Sequence, residues 1–260
     1  MSLEYWFMFP VAIIVAILAN SSGFSGSVLF QPIYNLILKV PIQNSVATGI
    51  ATETVGMISG AFRYFLYKML EFPVGFTMMM LTIPGVVLGN YALLIINGNL
   101  LKLFLGAILL ALAFIQLYAT ARNSYGKREN VPIEDMYPFM WIPPLGGFFS
   151  ASTGTGIAEI SQPLLERGLG VKTRRANGTA ILVECTGDCI ITILNLHAGL
   201  ILKEIWVFAA AGVILGGQIG PCIAKYLPEK LLKIVFSIAI ILVGIFYIYN
   251  GISWLLTVCN

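Results

Sequence analysis

The sequence predicts an all-α polytopic membrane protein made of two repeats. Three observations carry that prediction. First, 58% of the 260 residues are hydrophobic, 10% are charged, and mean hydropathy is +0.89. A soluble domain carries about 25% charged residues, so this chain has too few charges to cover a water-facing surface. Second, the apolar stretches are continuous, without the alternation of a membrane β-barrel, which excludes that class. Third, the chain matches itself without a gap at an offset of 131 residues. Gly23 falls on Gly154, Gln31-Pro32 on Gln162-Pro163, Thr48 on Thr179, Glu53 on Glu184, Gly56 on Gly187, Gly85 on Gly216, Gly89 on Gly220 and Lys102 on Lys233, with 17 identities in 101 pairs over residues 20–120. A duplicated membrane segment with an ionisable group at the centre of each copy is the pattern of a transporter.

Residues 1–120 are expected to form the first repeat, 121–137 a linker and 138–260 the second repeat. The first repeat opens on two short apolar pieces, 5–19 and 27–38, split by Asn20-Ser21-Ser22-Gly23-Phe24-Ser25-Gly26. Each piece is shorter than the roughly 20 residues that a bilayer needs, and the glycines free the backbone from helix. Three segments of spanning length follow, at 44–66, 72–96 and 99–120. The linker collects Arg122, Lys127, Arg128, Glu129, Glu134 and Asp135 and reads as a solvated connection. The second repeat again opens on a split region, 138–169, interrupted by Ser150-Ala151-Ser152-Thr153-Gly154-Thr155-Gly156, and continues with spans at 174–197, 203–225 and 230–257.

Each split region is either a re-entrant hairpin, giving six spans and two hairpins, or one broken helix, giving eight spanning helices. The distribution of Lys and Arg favours hairpins. With hairpins, Lys39, Lys102 and Lys203 fall on one side and the other 12 of the 15 basic residues on the other; with eight spans the division is 9 to 6. Each repeat is therefore one hairpin plus three spans. An odd number of spans inverts the second repeat relative to the first, places the linker in the cytoplasm and puts both termini outside the cell membrane. The N-terminal segment, with no Lys or Arg in residues 1–10, is expected to remain attached.

Candidate functional residues lie at the hairpin tips and along the helix after each. Ser21, Ser22, Gly23, Ser25, Gly26, Ser152, Thr153, Gly154, Thr155 and Gly156 offer hydroxyls and exposed backbone N–H groups, which bind anions. Non-helical backbone at membrane depth is tolerated where it lines a cavity. Gln31 and Gln162 stand just beyond the tips, where an amide can brace the tip or touch substrate. The next helix carries a polar stripe at spacings of three to four residues: Thr48, Thr52 and Glu53 in the first repeat, Asn177, Thr179, Glu184 and Asp188 in the second. Close packing accounts for the Gly and Ser of such a stripe. It does not account for carboxylates, whose charged form is penalised in a dry interior, so Glu53, Glu184 and Asp188 are expected to carry protons. Cys185 and Cys189, one turn apart, read as small packing residues, and His197 as interfacial. No cofactor, metal, nucleic-acid partner or catalytic pair is indicated; the expected partners are a small anionic substrate, protons and lipid, and no oligomeric state is specified.

The layout resembles the sulfite exporter family called TauE/SafE across nearly the whole chain. Its halves open with a glycine-rich stretch followed by a proline, present as Gly23-Phe24-Ser25-Gly26-Ser27 with Pro32 and as Gly154-Thr155-Gly156 with Pro163. A small-residue segment then starts the next helix, here Ala47-Thr48-Gly49 and Ala176-Asn177-Gly178-Thr179. The resemblance implies movement of small sulfur-containing anions such as sulfite or organosulfonates. Glu53 and Glu184 stand where apolar or hydroxyl residues are expected, which adds proton coupling to the expectation. The reading is a secondary transporter working by alternating access. The alternative is a cation or metal transporter or channel that uses Glu53, Glu184, Asp188 and Glu159 as oxygen ligands.

Overall fold

A computed structural model describes residues 3–121, 126–226 and 229–259. Among these residues there is no β-strand, only an isolated bridge between Arg128 and Val171. Ten helices carry the architecture: α1 (Met8–Ser22), α2 (Ser27–Pro32), α3 (Ile42–Leu66), α4 (Phe72–Ile95), α5 (Gly98–Ala121), α6 (Ile142–Thr153), α7 (Ile157–Pro163), α8 (Thr173–His197), α9 (Lys203–Tyr226) and α10 (Glu229–Cys259). α4, α5, α8, α9 and α10 each contain a stretch long and apolar enough to cross a membrane. The sixth expected span, 44–66, falls on α3, which is as long as α8 at 25 residues. Its Ser, Thr and Glu side chains dilute its apolar content, and Ser45, Thr48, Thr52 and Glu53 are buried within the protein. The chain is thus an all-α polytopic membrane protein. Part of the linker, residues 122–125 with Arg122, lies outside the described residues, as do both chain ends.

The two split regions are built alike. α1 stops at Gly23 and α6 at Gly154, and both glycines take the left-handed conformation, with φ of 78° and 79°, that a side chain would disfavour. Their N–H groups bond back to Ala19 O and Ser150 O. α2 and α7 then run into Pro32 and Pro163, and each is followed by one π-helical turn, Ile33–Ile37 and Leu164–Gly168. Proline has no N–H to give the preceding turn, and π-turns commonly absorb such breaks.

The tips are shorter than the sequence suggested. Asn20, Ser21 and Ser22 continue α1, and Ser150, Ser152 and Thr153 continue α6. Their side chains allow this by bonding the turn behind them: Asn20 Nδ2 to Ala16 O, Ser22 Oγ to Leu18 O, Ser152 Oγ to Phe148 O and Thr153 Oγ1 to Phe149 O. Back-bonding of this kind satisfies polar residues inside an apolar helix.

Packing between the halves pairs up. α1 lies on α9 as α6 lies on α4, α3 lies on α9 as α8 lies on α4, and α3 meets α8 while α5 meets α10. Before α1, Tyr5 packs against the hydrophobic cluster that also holds Val40, Leu202 and Ile205. Before α6, Phe139 lies beside Gly168, and Arg128 reaches Leu169 O, so the second split region begins and ends together. The small residues Gly85 and Gly89 let α4 approach the backbone of Pro144 and Phe148 on α6, and Gly216 and Gly220 let α9 approach α1 at Ile13 and Ile17.

Candidate functional site

α3 and α8 cross the centre of the molecule side by side, each carrying its glutamate at the twelfth of 25 residues. Glu53 is 3% exposed and Glu184 and Asp188 are buried beside it. One carboxylate oxygen from each of the three lies within 4.8 Å of the others.

The three carboxylates have different surroundings. Glu53 turns toward the first tip and accepts hydrogen bonds from Ser25 Oγ at 2.7 Å, Ser27 N at 2.9 Å and Gly26 N. These charge-assisted contacts are the stronger class of hydrogen bond. Glu184 and Asp188 accept none: all four of their oxygens are buried without a hydrogen-bond partner. An ionised carboxylate only accepts, so this pair has unmet capacity for a proton or a cation, and the three groups together could hold a cation.

The two tips also grip one another. Ser27 Oγ donates to Gly154 O, Ser25 Oγ lies 2.9 Å from the same carbonyl and shares its one proton between it and Glu53, and Gln31 Nε2 donates to Thr153 O at 2.7 Å. Glu159 completes the exchange by accepting from Ser25 N of the other half and from Gly156 N of its own, both at 2.8 Å. The N–H groups expected to face an anion are therefore occupied by the protein's own carboxylates, Glu53 and Glu159. Thr155 Oγ1 is buried and unpartnered among them.

Other predicted residues stand apart from this centre. Thr48 Oγ1 accepts from Leu202 N, and Thr179 Oγ1 from Glu71 N; these positions correspond across the 131-residue offset, so both threonines tie a helix to the start of another. Thr52 lies between Thr48 O and the Tyr34 hydroxyl. Asn177 packs over Gly23, its Oδ1 unpartnered. Gln162 does not mirror Gln31: it donates to Glu166 Oε2 at 2.7 Å. Ser27 was missed in the sequence because its counterpart is Ala158. The capping role of Glu159 had a sequence signal, a carboxylate three residues after the helix-starting Gly156.

The matches to known proteins cover the same architecture. The family model described as sulfite exporter TauE/SafE matches residues 8–247, which span both split regions and both central glutamates. A protein described as probable membrane transporter protein YunE, from Bacillus subtilis (strain 168), is 19% identical over 272 aligned residues, covering 94% of this chain and 98% of that protein. No solved structure matches. The chain, a membrane protein with two glycine-broken helices flanking a buried carboxylate centre, belongs to the sulfite exporter TauE/SafE family.

Proposed function

We propose that this protein is a secondary transporter that exports a small sulfur-containing anion, sulfite or an organosulfonate, with proton coupling, by alternating access between two inverted repeats. The membership of the TauE/SafE family supports the substrate class, and the paired contacts between the halves, with Phe139 beside Gly168 and Arg128 on Leu169 O around the second split region, support hairpins in opposite orientation. In this reading the linker lies in the cytoplasm and both termini outside.

One observation carries the mechanism: the Glu53 carboxyl is tethered to Ser25 Oγ, Gly26 N and Ser27 N. An oxyanion needs the same donors. Two anions cannot share a dry site, so a free oxyanion takes the tip when Glu53 accepts a proton and lets go. Proton and anion are then carried together in one direction as the halves rock, so each anion exported takes a proton out with it. Glu184 and Asp188, within 4.8 Å and without donors, provide the neighbouring proton acceptors.

The test is flux into proteoliposomes, comparing sulfite, taurine-like sulfonates and divalent cations. Glu53→Gln or Glu184→Gln is expected to abolish proton-driven flux and its pH dependence, while exchange of anion survives in at least one of them. Intact pH-dependent flux in both variants would assign the glutamates a structural role. A second reading, carriage of a cation at Glu53, Glu184 and Asp188, is favoured by the four unpartnered oxygens. It predicts that neutralising either glutamate weakens cation binding itself.

A further inference from the structure

The two halves differ most at the positions of Lys102 and Lys233, which correspond across the repeat. In the second half, Glu166 in the π-turn after α7 accepts from Lys233 Nζ at 2.6 Å, from Gln162 Nε2 at 2.7 Å and from Thr173 Oγ1. The Lys233 and Glu166 side chains are 3% and 1% exposed. An internal carboxylate here sits on an internal lysine.

The first half has the lysine and lacks the carboxylate. Asn35 stands at the position of Glu166, and its Nδ2 is turned to Val40 O at 2.7 Å. Beside Lys102 the first half opens into a cavity of about 630 Å³, with Asn35, Lys39, Gln43, Asn97, Lys102 and Asn250 in its wall. That wall contains two lysines and no Asp or Glu. Among the described residues no carboxylate forms an ion pair with Lys39 or Lys102.

We infer that this cavity is an anion-binding vestibule, in which a small oxyanion sits on Lys102 in the place that the Glu166 carboxylate takes on Lys233. Three lines of chemistry support it. A lysine ammonium has three donors and no acceptor, so it seeks an anionic partner, and the duplicated half displays such a partner in place. A cleft lined by one sign of charge concentrates counter-ions, by roughly 10- to 1,000-fold. The volume falls within the roughly 300–1,000 Å³ of ligand clefts, so a sulfite- or sulfonate-sized head group fits with its waters. The inference rests on the anion-transport reading above and adds to it a second anion site, away from the hairpin tips and on the face where the 12-to-3 charge division places Lys39 and Lys102 outside.

The experiment uses the full chain in nanodiscs, with sulfite and taurine binding read by calorimetry, and in proteoliposomes, with flux read in parallel. Lys102→Gln is expected to weaken anion binding about tenfold, the worth of one charge-assisted contact. Lys102→Arg, which keeps the charge, is expected to restore it. Asn35→Glu, which copies the second half, is expected to suppress binding as strongly as Lys102→Gln by supplying an internal anion. Thermal unfolding of each variant identifies loss of fold, and the Arg variant separates charge from packing. Anion transport by the wild type with unchanged binding and flux in Lys102→Gln and Asn35→Glu overturns the vestibule alone. No anion transport by the wild type overturns the anion reading itself.

Discussion

At the residue scale, a buried charge is defined by what answers it. Lys233 and Glu166 answer each other, with Gln162 and Thr173 filling the remaining acceptor sites of the carboxylate. Removing one partner leaves an uncompensated charge, which costs about 3–5 kcal/mol. Lys233→Met is therefore expected to lower the thermal unfolding temperature of the purified protein sharply. The double variant Lys233→Met with Glu166→Gln should recover much of the loss, because neither charge is then stranded. A double variant no more stable than Lys233→Met would show that the ion pair is not what the lysine contributes. Glu71 and Arg175, at 2.7 Å, form the comparable pair between the α3–α4 connection and α8. Glu129 and Lys172 pair at the surface, where the lysine draws the Glu129 carboxyl below its usual range; exposed pairs of this kind contribute little to stability.

At the element scale, helix approach and tip closure make separate demands. A Cβ on Gly89 would run into the backbone of Phe148, and one on Gly85 into that of Pro144. Backbone cannot step aside as a side-chain end can, so Gly89→Leu is expected to reduce the yield of folded protein in the membrane, measured as the monodisperse fraction after extraction. Normal yield would mean that α4 and α6 separate easily. The tip makes a chemical demand instead. Ser25 Oγ bridges Glu53 of its own half and Gly154 O of the other. Ser25→Ala keeps the size and removes the one proton that the hydroxyl shares between these two acceptors, a bond worth about 0.5–1.5 kcal/mol net, or up to about 3 to a charged group. Its expected effect is a transport rate changed at least several-fold in a protein that still folds. An unchanged rate would make the tip contact incidental.

At the scale of the whole molecule, the ends sort by charge. Arg175 with Glu71, Lys172 with Glu129, Arg128 with Asp135 and Lys233 with Glu166 connect the segments around residues 71, 128–135 and 166–175 with the start of α10. Asn44 bonded to Leu200 O, Gln43 to Ile96 O and Thr48 to Leu202 N gather the start of α3, the α4–α5 turn and the start of α9. The first group lies in the basic set of the charge division, the second beside Lys39, Lys102 and Lys203. The proposed topology follows, and it predicts that a reporter active only in the cytoplasm gives no signal when fused to the C-terminus. A strong signal there would reverse the orientation.

Composition by itself determined that the chain is helical and membrane-spanning, and the self-match at an offset of 131 residues located Glu53 and Glu184 at corresponding positions near the middle of α3 and α8. Such properties are local or periodic: hydropathy is summed over a segment, and a repeat is read by alignment. Tertiary structure alone decided which polar groups meet. Ser25 and Glu159 are 134 residues apart in sequence and Ser27 and Gly154 are 127 apart, and no periodicity pairs them. Nor could residue type show that Ser22, Ser152 and Thr153 turn their hydroxyls to their own helices while Glu53 turns to the tip, because each had more than one satisfiable partner. The difference between Lys102 and Lys233 was latent in the alignment as Asn35 against Glu166. Only packing turned that one exchange into a buried ion pair at Lys233 and a cavity beside Lys102, because a buried lysine is stable where a carboxylate reaches it.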